Sequence, residues 1–228
     1  MTLLLLGLAF AGISEDLATA SNRELDEAER MRAFNSLVLD WKTYRHELEA
    51  IALDEDHDAR ERWVVVRAMG QAHDPSTAEV LLKLLDDPMP AMRAGAASAL
   101  GDLGDKAHAE AIAPLLRDDA MFVRASAADA LGQIRDARSA AWLESALTDT
   151  SNYYRGSSLW VRVHYVAALG AIGNDSSVPA LIACFDDTDP LVVEAALMSL
   201  KSIVGFDFAE GRSQEEHIEA WRRWNANQ

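Results

Sequence analysis

The chain has 228 residues, a formal net charge of −16 and a single cysteine. Half of its residues are apolar, which is too many for a disordered chain, yet no run reaches the ~18–20 apolar residues of a membrane span. One cysteine excludes an intramolecular disulfide framework and a Cys-rich zinc or iron–sulfur site. The acidic balance argues against nucleic-acid binding, because phosphate neutralisation requires clustered lysine and arginine. The length predicts a single domain of ordinary size.

Residues 1–20 have the form of a secretory signal peptide. Residues 3–13 are all apolar, and Ala18 and Ala20 have the small-x-small spacing of a cleavage site, although no Lys or Arg precedes the apolar run. Cleavage would start the mature chain near Ser21 and predicts an exported, periplasmic protein, whereas an uncleaved chain would be cytoplasmic. The alternative is an apolar first helix that packs on the end of the folded domain.

A short motif recurs along the chain with nearly constant spacing. The dipeptide Leu-Gly, or a variant of it, occurs at intervals of 31 residues, with one interval of 38. Its copies are Met69-Gly70, Leu100-Gly101, Leu131-Gly132, Leu169-Gly170 and the degenerate Leu200-Lys201. A fixed period of about 20–50 residues is typical of a repeat protein in which each repeat is one supersecondary unit.

Each repeat predicts a pair of helices. Residues 91–100 are rich in alanine, which favours a helix and lets neighbouring helices approach closely. Gly101 and Gly104 are expected to end this helix, because glycine accepts the left-handed conformation of a helix C-terminus. A second apolar helix follows over residues 107–117, and Pro114 inside it predicts a kink.

An Asp and an Arg also recur at fixed positions and form a ladder. Its members are Asp56, Arg62, Asp87, Arg93, Asp118, Arg124, Asp149 and Arg162. Each Asp precedes its Arg by six residues, except that seven extra residues follow Asp149, and Val193 replaces the Arg in the last copy. We expect the two residue types to pair with each other and with neighbouring repeats, which would hold the stack together. The alternative is that exposed arginines bind an acidic ligand.

These repeats resemble the HEAT-like repeats of the phycobilisome lyase type, which occur in bacterial scaffold proteins and phycobilin lyase subunits. The resemblance rests on an Asp followed six residues later by Arg, then Ala-Ala-x-Ala-Leu-Gly, then an apolar second helix. It implies an all-α fold, an α-solenoid of about five to six HEAT-like helical hairpins. The repeats would occupy residues 54–204, with capping helices at 21–53 and 205–228. It also implies an alternative function as a bilin lyase or other enzyme subunit.

The sequence contains no recognisable catalytic motif. A nucleophile elbow, a phosphate-binding P-loop and a dinucleotide-binding glycine motif are all missing. One enzyme class built on HEAT-like repeats, the di-iron hydroxylases, uses repeated His-Glu pairs, of which only His46-Glu47 is present. The other histidines fall at different repeat positions and are not expected to converge on a metal. We therefore expect no catalytic residue, no metal site and no cofactor, and we expect Cys184 to be a buried, inert thiol.

The seven extra residues mark the most informative irregularity of the chain. They lie within residues 151–158, and an insertion in a repeat protein maps to a loop on one face, often the binding face. Tyr153, Tyr154, Arg155 and Trp160 are the candidate binding residues, because tyrosine, arginine and tryptophan dominate interface energetics. The alternative is a surface loop whose aromatic side chains fold back on the helices, with Trp160 the most buried of the four.

The C-terminal residues predict a capping helix over about 213–224. Trp221 and Trp224 share one face of this helix with Ile218. A solenoid requires an end cap with one apolar and one polar side, which this pattern provides. The alternative is an aromatic docking patch.

These features predict a non-enzymatic protein-binding scaffold or adaptor that uses a curved helical-repeat surface. The partner is expected to be a protein or peptide, basic or neutral, because residues 54–204 include more acidic than basic side chains. No nucleic-acid partner and no integral membrane span in the mature chain are expected. Besides the lyase-type role, a structural envelope protein is a further alternative.

Overall fold

The computed structural model describes residues 2–208 and 213–227, with side chains from residue 12 onward. This part of the chain is almost entirely helical and divides into two compact units, Met1–Leu103 and Gly104–Gln228. None of the helices within the described ranges has the length and apolar character that crossing a bilayer requires.

The first unit is built around one central helix. Its α-helices are α1 (Thr2–Ser21), α2 (Glu27–Leu39), α3 (Trp41–Leu53), α4 (Ala59–Ala72), α5 (Ala78–Leu84) and α6 (Pro90–Leu103). Helix α4 packs against α1, α2, α3 and α6. Its residues Val65, Val66, Ala68 and Met69 are fully buried and form the centre of this core.

The segment with a predicted signal peptide forms helix α1. Ile13 and Leu17 of this helix are buried, and α1 contacts both α2 and α4. These contacts remove apolar surface from water and stabilise the helix against its neighbours. Cleavage near Ser21 stays a prediction.

The second unit contains the remaining helices and one small β-hairpin. Its elements are α7 (Ala109–Ile112), α8 (Met121–Ile134), α9 (Ser139–Leu147), β1 (Tyr153–Tyr154), β2 (Ser157–Ser158), α10 (Val161–Ile172), α11 (Val178–Ala183), α12 (Pro190–Val204) and α13 (Gln214–Asn225). Helix α10 packs between α8 and α12, and it also contacts α9. At Pro114, where the sequence predicts a kink, α7 ends at Ile112 and Ala113–Arg117 continues as a 3-10 helix.

The glycine of the Leu-Gly motif serves close packing rather than helix termination. The expectation that Gly101 ends its helix is wrong: it lies buried inside α6, and the helix ends at Gly104, which has a φ of +68°. A Cβ atom on Gly132 of α8 would lie 3.1 Å from the Cα atom of Ala168 on α10. The motif therefore recurs because the first helices of neighbouring repeats approach closely at this position.

An aromatic cluster closes the end of the second unit. Trp221 of α13 is fully buried, with the Phe206 ring stacked on it and the Phe208 ring edge-on at 4.9 Å between ring centroids. Trp224 meets Trp221 edge-on at 5.5 Å. Ser213 caps α13 with Glu216 in a reciprocal capping box, which fixes where the helix begins.

Candidate functional site

The inserted residues fold into a β-hairpin with a tight turn. Strands β1 and β2 pair antiparallel, with Tyr153 opposite Ser158 and Tyr154 opposite Ser157. The two turn residues, Arg155 and Gly156, have φ angles of +50° and +82°. Positive φ at both central positions is the geometry of a two-residue type I′ hairpin, which matches the twist of the flanking strands. The insertion is therefore an ordered element.

Hydrogen bonds hold the base of the hairpin against two repeats. The Ser158 backbone amide donates to Thr188 Oγ1 at 3.1 Å, and the Ser158 hydroxyl donates to Asp187, so the hairpin is attached to the turn before α12. On the other side, Asn152 is buried and its side-chain amide donates to the Ala146 carbonyl at 2.9 Å. These hydrogen bonds hold both ends of the hairpin in place, and its turn residues Arg155 and Gly156 extend from them.

The four candidate binding residues have different environments. Tyr154 is 62% exposed and Trp160 is 48% exposed, whereas the Tyr153 ring is partly buried and lies over the Arg162 guanidinium at 4.3 Å. Arg155 is exposed and lies 5.3 Å from the Tyr154 ring centre. The expectation that Trp160 is the most buried of the four is therefore wrong. Tyr153 is the most buried of the four because its ring covers the buried Arg162. Burial of Tyr153 raises the pKa of the Tyr153 hydroxyl.

Sequence reasoning identified Trp160 but missed two other exposed apolar side chains, Phe122 and Leu191, at the same repeat position. We call Phe122, Trp160 and Leu191 the apolar row; they are 48%, 48% and 59% exposed. Each stands two residues before the ladder position of its repeat. Phe122 and Leu191 are the second residues of α8 and α12, and Trp160 is the N-cap of α10. Aligning the repeats on the ladder position is the signal that could have found them.

A histidine and a carboxylate lie next to the apolar row. His164 Nδ1 lies 2.8 Å from Asp129 Oδ1, which joins α10 to α8, and the rings of Trp160 and His164 meet edge-on at 5.3 Å. The hydrogen bond to Asp129 raises the pKa of His164, because it favours the protonated imidazole. A polar, titratable side chain therefore adjoins Trp160.

The Asp/Arg ladder connects repeats with a register of 25 residues. Arg62 pairs with Asp87, and Arg162 pairs with Asp187, in both cases with the Asp of the following repeat. Both pairs are buried, with side chains between 1% and 6% exposed. Asp56, six residues before Arg62, instead lies exposed in the turn. These arginines are thus enclosed by the stack rather than offered to an acidic ligand.

Within a repeat, the ladder arginine binds the backbone of the preceding aspartate. Arg93 donates to the Asp87 carbonyl at 2.9 Å, and Arg124 donates to the Asp118 carbonyl at 3.0 Å. The aspartate side chains accept backbone amides in the turns, as Asp118 does from Ala120 at 2.8 Å. These bonds satisfy amide groups at the start of the first helices.

Among the described residues, Arg124 and Asp149 do not form the buried ion pair, although they too are 25 residues apart. Asp149 Oδ2 lies 3.7 Å from Arg117 Nε at the surface, while its Oδ1 accepts the Ser151 amide at 2.8 Å. Arg124 stays buried, and within the described residues its Nε has no hydrogen-bond partner. Asp149 therefore lacks the buried position that Asp87 and Asp187 occupy in their repeats.

The side chains considered for chemistry are dispersed. Cys184 is buried, its thiol donates to the Ala180 carbonyl at 3.4 Å, and burial raises its pKa to about 11. Within residues 2–208 and 213–227, no three His, Cys, Asp or Glu side chains lie close enough together to hold a metal ion.

Paired helices repeated along the sequence, with buried Arg–Asp pairs between them, define a helical-repeat protein of the α-solenoid class. The chain matches HEAT repeats over residues 47–120 and 93–161 and the PBS lyase HEAT-like repeat over residues 161–187. These matches cover more than half of the chain, which belongs to the HEAT-repeat family.

Solved structures with similar folds differ widely in sequence. An engineered protein has a TM-score of 0.55 and 19% identity, covering 85% of this chain and 96% of its own. Human deoxyhypusine hydroxylase in complex with glycerol has a TM-score of 0.44 and 18% identity over 88% of this chain and 99% of its own. The CpcE–CpcF complex of phycocyanin lyase from a Nostoc species has a TM-score of 0.42 and 17% identity over 92% of this chain and 93% of that chain. A search of curated proteins finds no match.

Proposed function

We propose that the chain is a non-enzymatic scaffold or adaptor that binds a protein partner through the hairpin and the apolar row. The observation that carries this proposal is the exposure of Tyr154 and Trp160 on elements whose bases are fixed. Exposed apolar patches mark interaction sites, and tyrosine, tryptophan and arginine are enriched at interface hot spots.

The fixed base of the hairpin favours binding, because association is opposed by the ordering of flexible groups. The hydrogen bonds of Ser158 and Asn152 already restrict the hairpin that carries Tyr154 and Arg155. A partner would therefore lose less conformational entropy on contacting this loop than on contacting a mobile one. Tyrosine adds little further cost, since its side chain has few rotatable bonds.

The proposed partner is a protein or peptide that is basic or neutral. The chain has a net charge of −16, which repels acidic molecules and increases the rate of encounter with basic ones. Charge of this kind acts on association rate more than on affinity. The affinity would come from the aromatic side chains.

The proposal is tested by photo-crosslinking from the full chain. A photoreactive phenylalanine replaces Tyr154, and the same residue replaces Leu39 of the first unit as a control, because Leu39 is 84% exposed. We expect one recurrent protein to be crosslinked from position 154 and not from position 39, and Trp160→Ala to abolish that product. Identical products from both positions would overturn the proposal.

A second candidate function is a bilin lyase or other enzyme-subunit role, which the match of residues 161–187 to the PBS lyase HEAT-like repeat favours. It is tested by incubating the chain with a bilin and an acceptor subunit. Covalent bilin attachment that requires the chain would favour this candidate over the scaffold.

We also propose that residues 1–20 direct export to the periplasm. N-terminal sequencing of the protein from cells tests this directly. A mature start near Ser21 would support export. An intact α1 would instead leave Ile13 and Leu17 as packing residues of the first unit. The chain would then belong to the cytoplasm or, as a structural envelope protein, to a membrane surface.

A further inference from the structure

We infer that a cavity between α7 and α9 binds a lysine side chain of a basic partner protein. The cavity lies within the second unit and has a volume of about 470 Å³, which is in the range of ligand pockets in proteins. Its walls include Glu110, Pro114, Arg117 and Trp142. None of its described lining residues belongs to the hairpin or to the apolar row, so the inference goes beyond the proposed function.

An equivalent glutamate in the preceding repeat shows which group this carboxylate binds. Glu79 of α5 stands 31 residues, or one repeat, before Glu110. It accepts a hydrogen bond at 2.8 Å from the ammonium of Lys83, which lies one helical turn further along α5. The residue four positions after Glu110 is instead Pro114, which carries no charge. The repeat that contains Glu110 therefore keeps the carboxylate and lacks the ammonium.

Pro114 also leaves the surface beside Glu110 open. Proline has no backbone amide and cannot continue the α-helical hydrogen bonds, so α7 ends at Ile112 and Pro114 lies in a 3-10 helix. In the preceding repeat, α5 continues without interruption through Lys83. The proline ring is much shorter than a lysine side chain, and both Pro114 and Glu110 line the cavity. A lysine from a partner can therefore approach Glu110 as Lys83 approaches Glu79.

The negative charge of Glu110 is not balanced by the arginines near it. Glu110 is exposed, and within the described residues it forms no ion pair or side-chain hydrogen bond. Arg117, which also lines the cavity, lies with its Nε 3.7 Å from Asp149 Oδ2. Arg138 donates to Asp136 Oδ2 at 2.9 Å. Since both guanidinium groups already have a carboxylate partner, Glu110 is the group that an entering cation meets.

Trp142 gives the cavity an aromatic wall that the stack does not require. It stands ten residues after the repeat glycine, where the other repeats have Val80, Ala111 and Ala180. Trp142 is partly buried and lines the cavity. A lysine lays its methylene groups along apolar surface while its charged end stays in water, and an ammonium is attracted to an indole face. The indole and the carboxylate of one cavity thus suit the two ends of a lysine side chain.

The inference is tested by NMR on the full-length chain with isotope-labelled tryptophan. The probe is an end-capped alanine peptide with one central lysine, and two control peptides have Nε-acetyl-lysine or norleucine at that position. We expect the lysine peptide to shift the indole signal of Trp142, which is identified by its loss in Trp142→Phe. Both neutral peptides should bind at least about tenfold more weakly. Equal shifts with all three peptides, or no shift with the lysine peptide, would overturn the inference.

A matched pair of variants separates the cavity from the overall charge of the chain. Glu110→Gln should weaken binding of the lysine peptide by about tenfold and leave binding of the neutral peptides unchanged. Glu79→Gln removes an equally charged and exposed carboxylate that already has Lys83 as its partner, so it should leave binding unchanged. Equal losses in the two variants would show that net charge attracts the peptide, which would overturn the inference.

Substitution of Pro114 provides a second test. Pro114→Lys recreates the arrangement of α5, and the introduced lysine should occupy Glu110 and abolish binding of the lysine peptide. Pro114→Ala removes the proline without adding a charge and should still bind. Melting temperatures no lower than that of the wild type would show that both variants are folded. Wild-type binding by Pro114→Lys would overturn the role of Glu110.

A free amine is the other source of an ammonium group. Cadaverine, an aliphatic diamine, should bind the cavity no more tightly than the lysine peptide, because it lacks the peptide backbone that can contact the rim. Binding of cadaverine about tenfold more tightly than the peptide would assign the cavity to a small amine and overturn the protein lysine as its occupant.

Discussion

Arg62 donates a hydrogen bond to Asp87 of the following repeat, and this ion pair is almost completely buried. The same guanidinium donates to the Ala52 carbonyl at 2.9 Å, so Arg62 of α4 links the end of α3 to the turn before α6. Arg162 and Asp187 repeat the arrangement in the second unit. Since both partners are taken out of water, each depends on the other to offset the loss of hydration.

Asp87→Ala should therefore destabilise the chain strongly. The substitution leaves the Arg62 guanidinium buried without its carboxylate, and breaking a buried pair in this way costs about 3–5 kcal/mol. Urea unfolding of the whole chain, followed by circular dichroism, measures the loss in the free energy of unfolding. The matched control is Asp149→Ala, because Asp149 accepts a turn amide as Asp87 does but forms its ion pair with the exposed Arg117. Asp149→Ala should lower the free energy of unfolding by about 1 kcal/mol. Equal losses from Asp87→Ala and Asp149→Ala would show that the buried Arg62–Asp87 pair does not stabilise the chain.

The ladder shows what could and could not be predicted from the sequence. The repeat period and the two-helix unit follow directly from the recurring Leu-Gly and Asp/Arg positions. The partner of Arg62 does not, because a spacing of six along the chain suggests Asp56, whereas stacking brings Asp87 closer. The candidate site was incomplete for the same reason: Phe122 and Leu191 lie far from the insertion in sequence, and packing of α8, α10 and α12 aligns them with Trp160.

Gly170→Ala should destabilise the second unit. A Cβ atom at this position would lie 2.6 Å from the Ser199 Cβ and 2.8 Å from its Cα, so α10 and α12 would have to separate. Overpacking of this kind costs about 1–3 kcal/mol, measured as a lower melting temperature. Gly12→Ala is the control, since a Cβ there meets nothing within 4 Å and the helix propensity of alanine should stabilise α1 slightly. A Gly170→Ala chain as stable as the wild type would show that the helices are not in close contact.

Tyr153→Ala and Tyr154→Ala should separate stability from binding. The Tyr153 ring lies over Arg162 at 4.3 Å, so its loss exposes a buried guanidinium and should lower the melting temperature by several degrees. Tyr154 is 62% exposed, and its loss should leave the melting temperature unchanged while weakening the crosslinked complex. Thermal unfolding and partner affinity are measured on the same samples. A large thermal effect of Tyr154→Ala would place it in the core.

His164 should titrate above its usual value of 6.5, because Asp129 accepts a hydrogen bond from its protonated ring. Since the pKa of His164 is higher in the folded chain than in the unfolded chain, the hydrogen bond stabilises the folded chain below about pH 6.5. This stabilisation disappears as the pH rises through the folded-state pKa. NMR titration of the ring protons measures the value, and Asp129→Asn should lower it. A His164 pKa that does not respond to Asp129→Asn would show that the bond does not form in solution.

Cys184 should react slowly with thiol reagents in the folded chain. Burial raises its pKa from 9.0 to about 11, so the reactive thiolate at pH 8 is about a hundredfold scarcer than in the unfolded chain. Limited access behind α11 and α12 slows the reaction further, since the side chain is only 4% exposed. As the chain has a single cysteine, the absorbance change with a disulfide reagent reports this thiol alone. The native rate should rise by at least about a hundredfold in denaturant, whereas a fast native reaction would identify an activated thiol and favour covalent attachment of a ligand at Cys184.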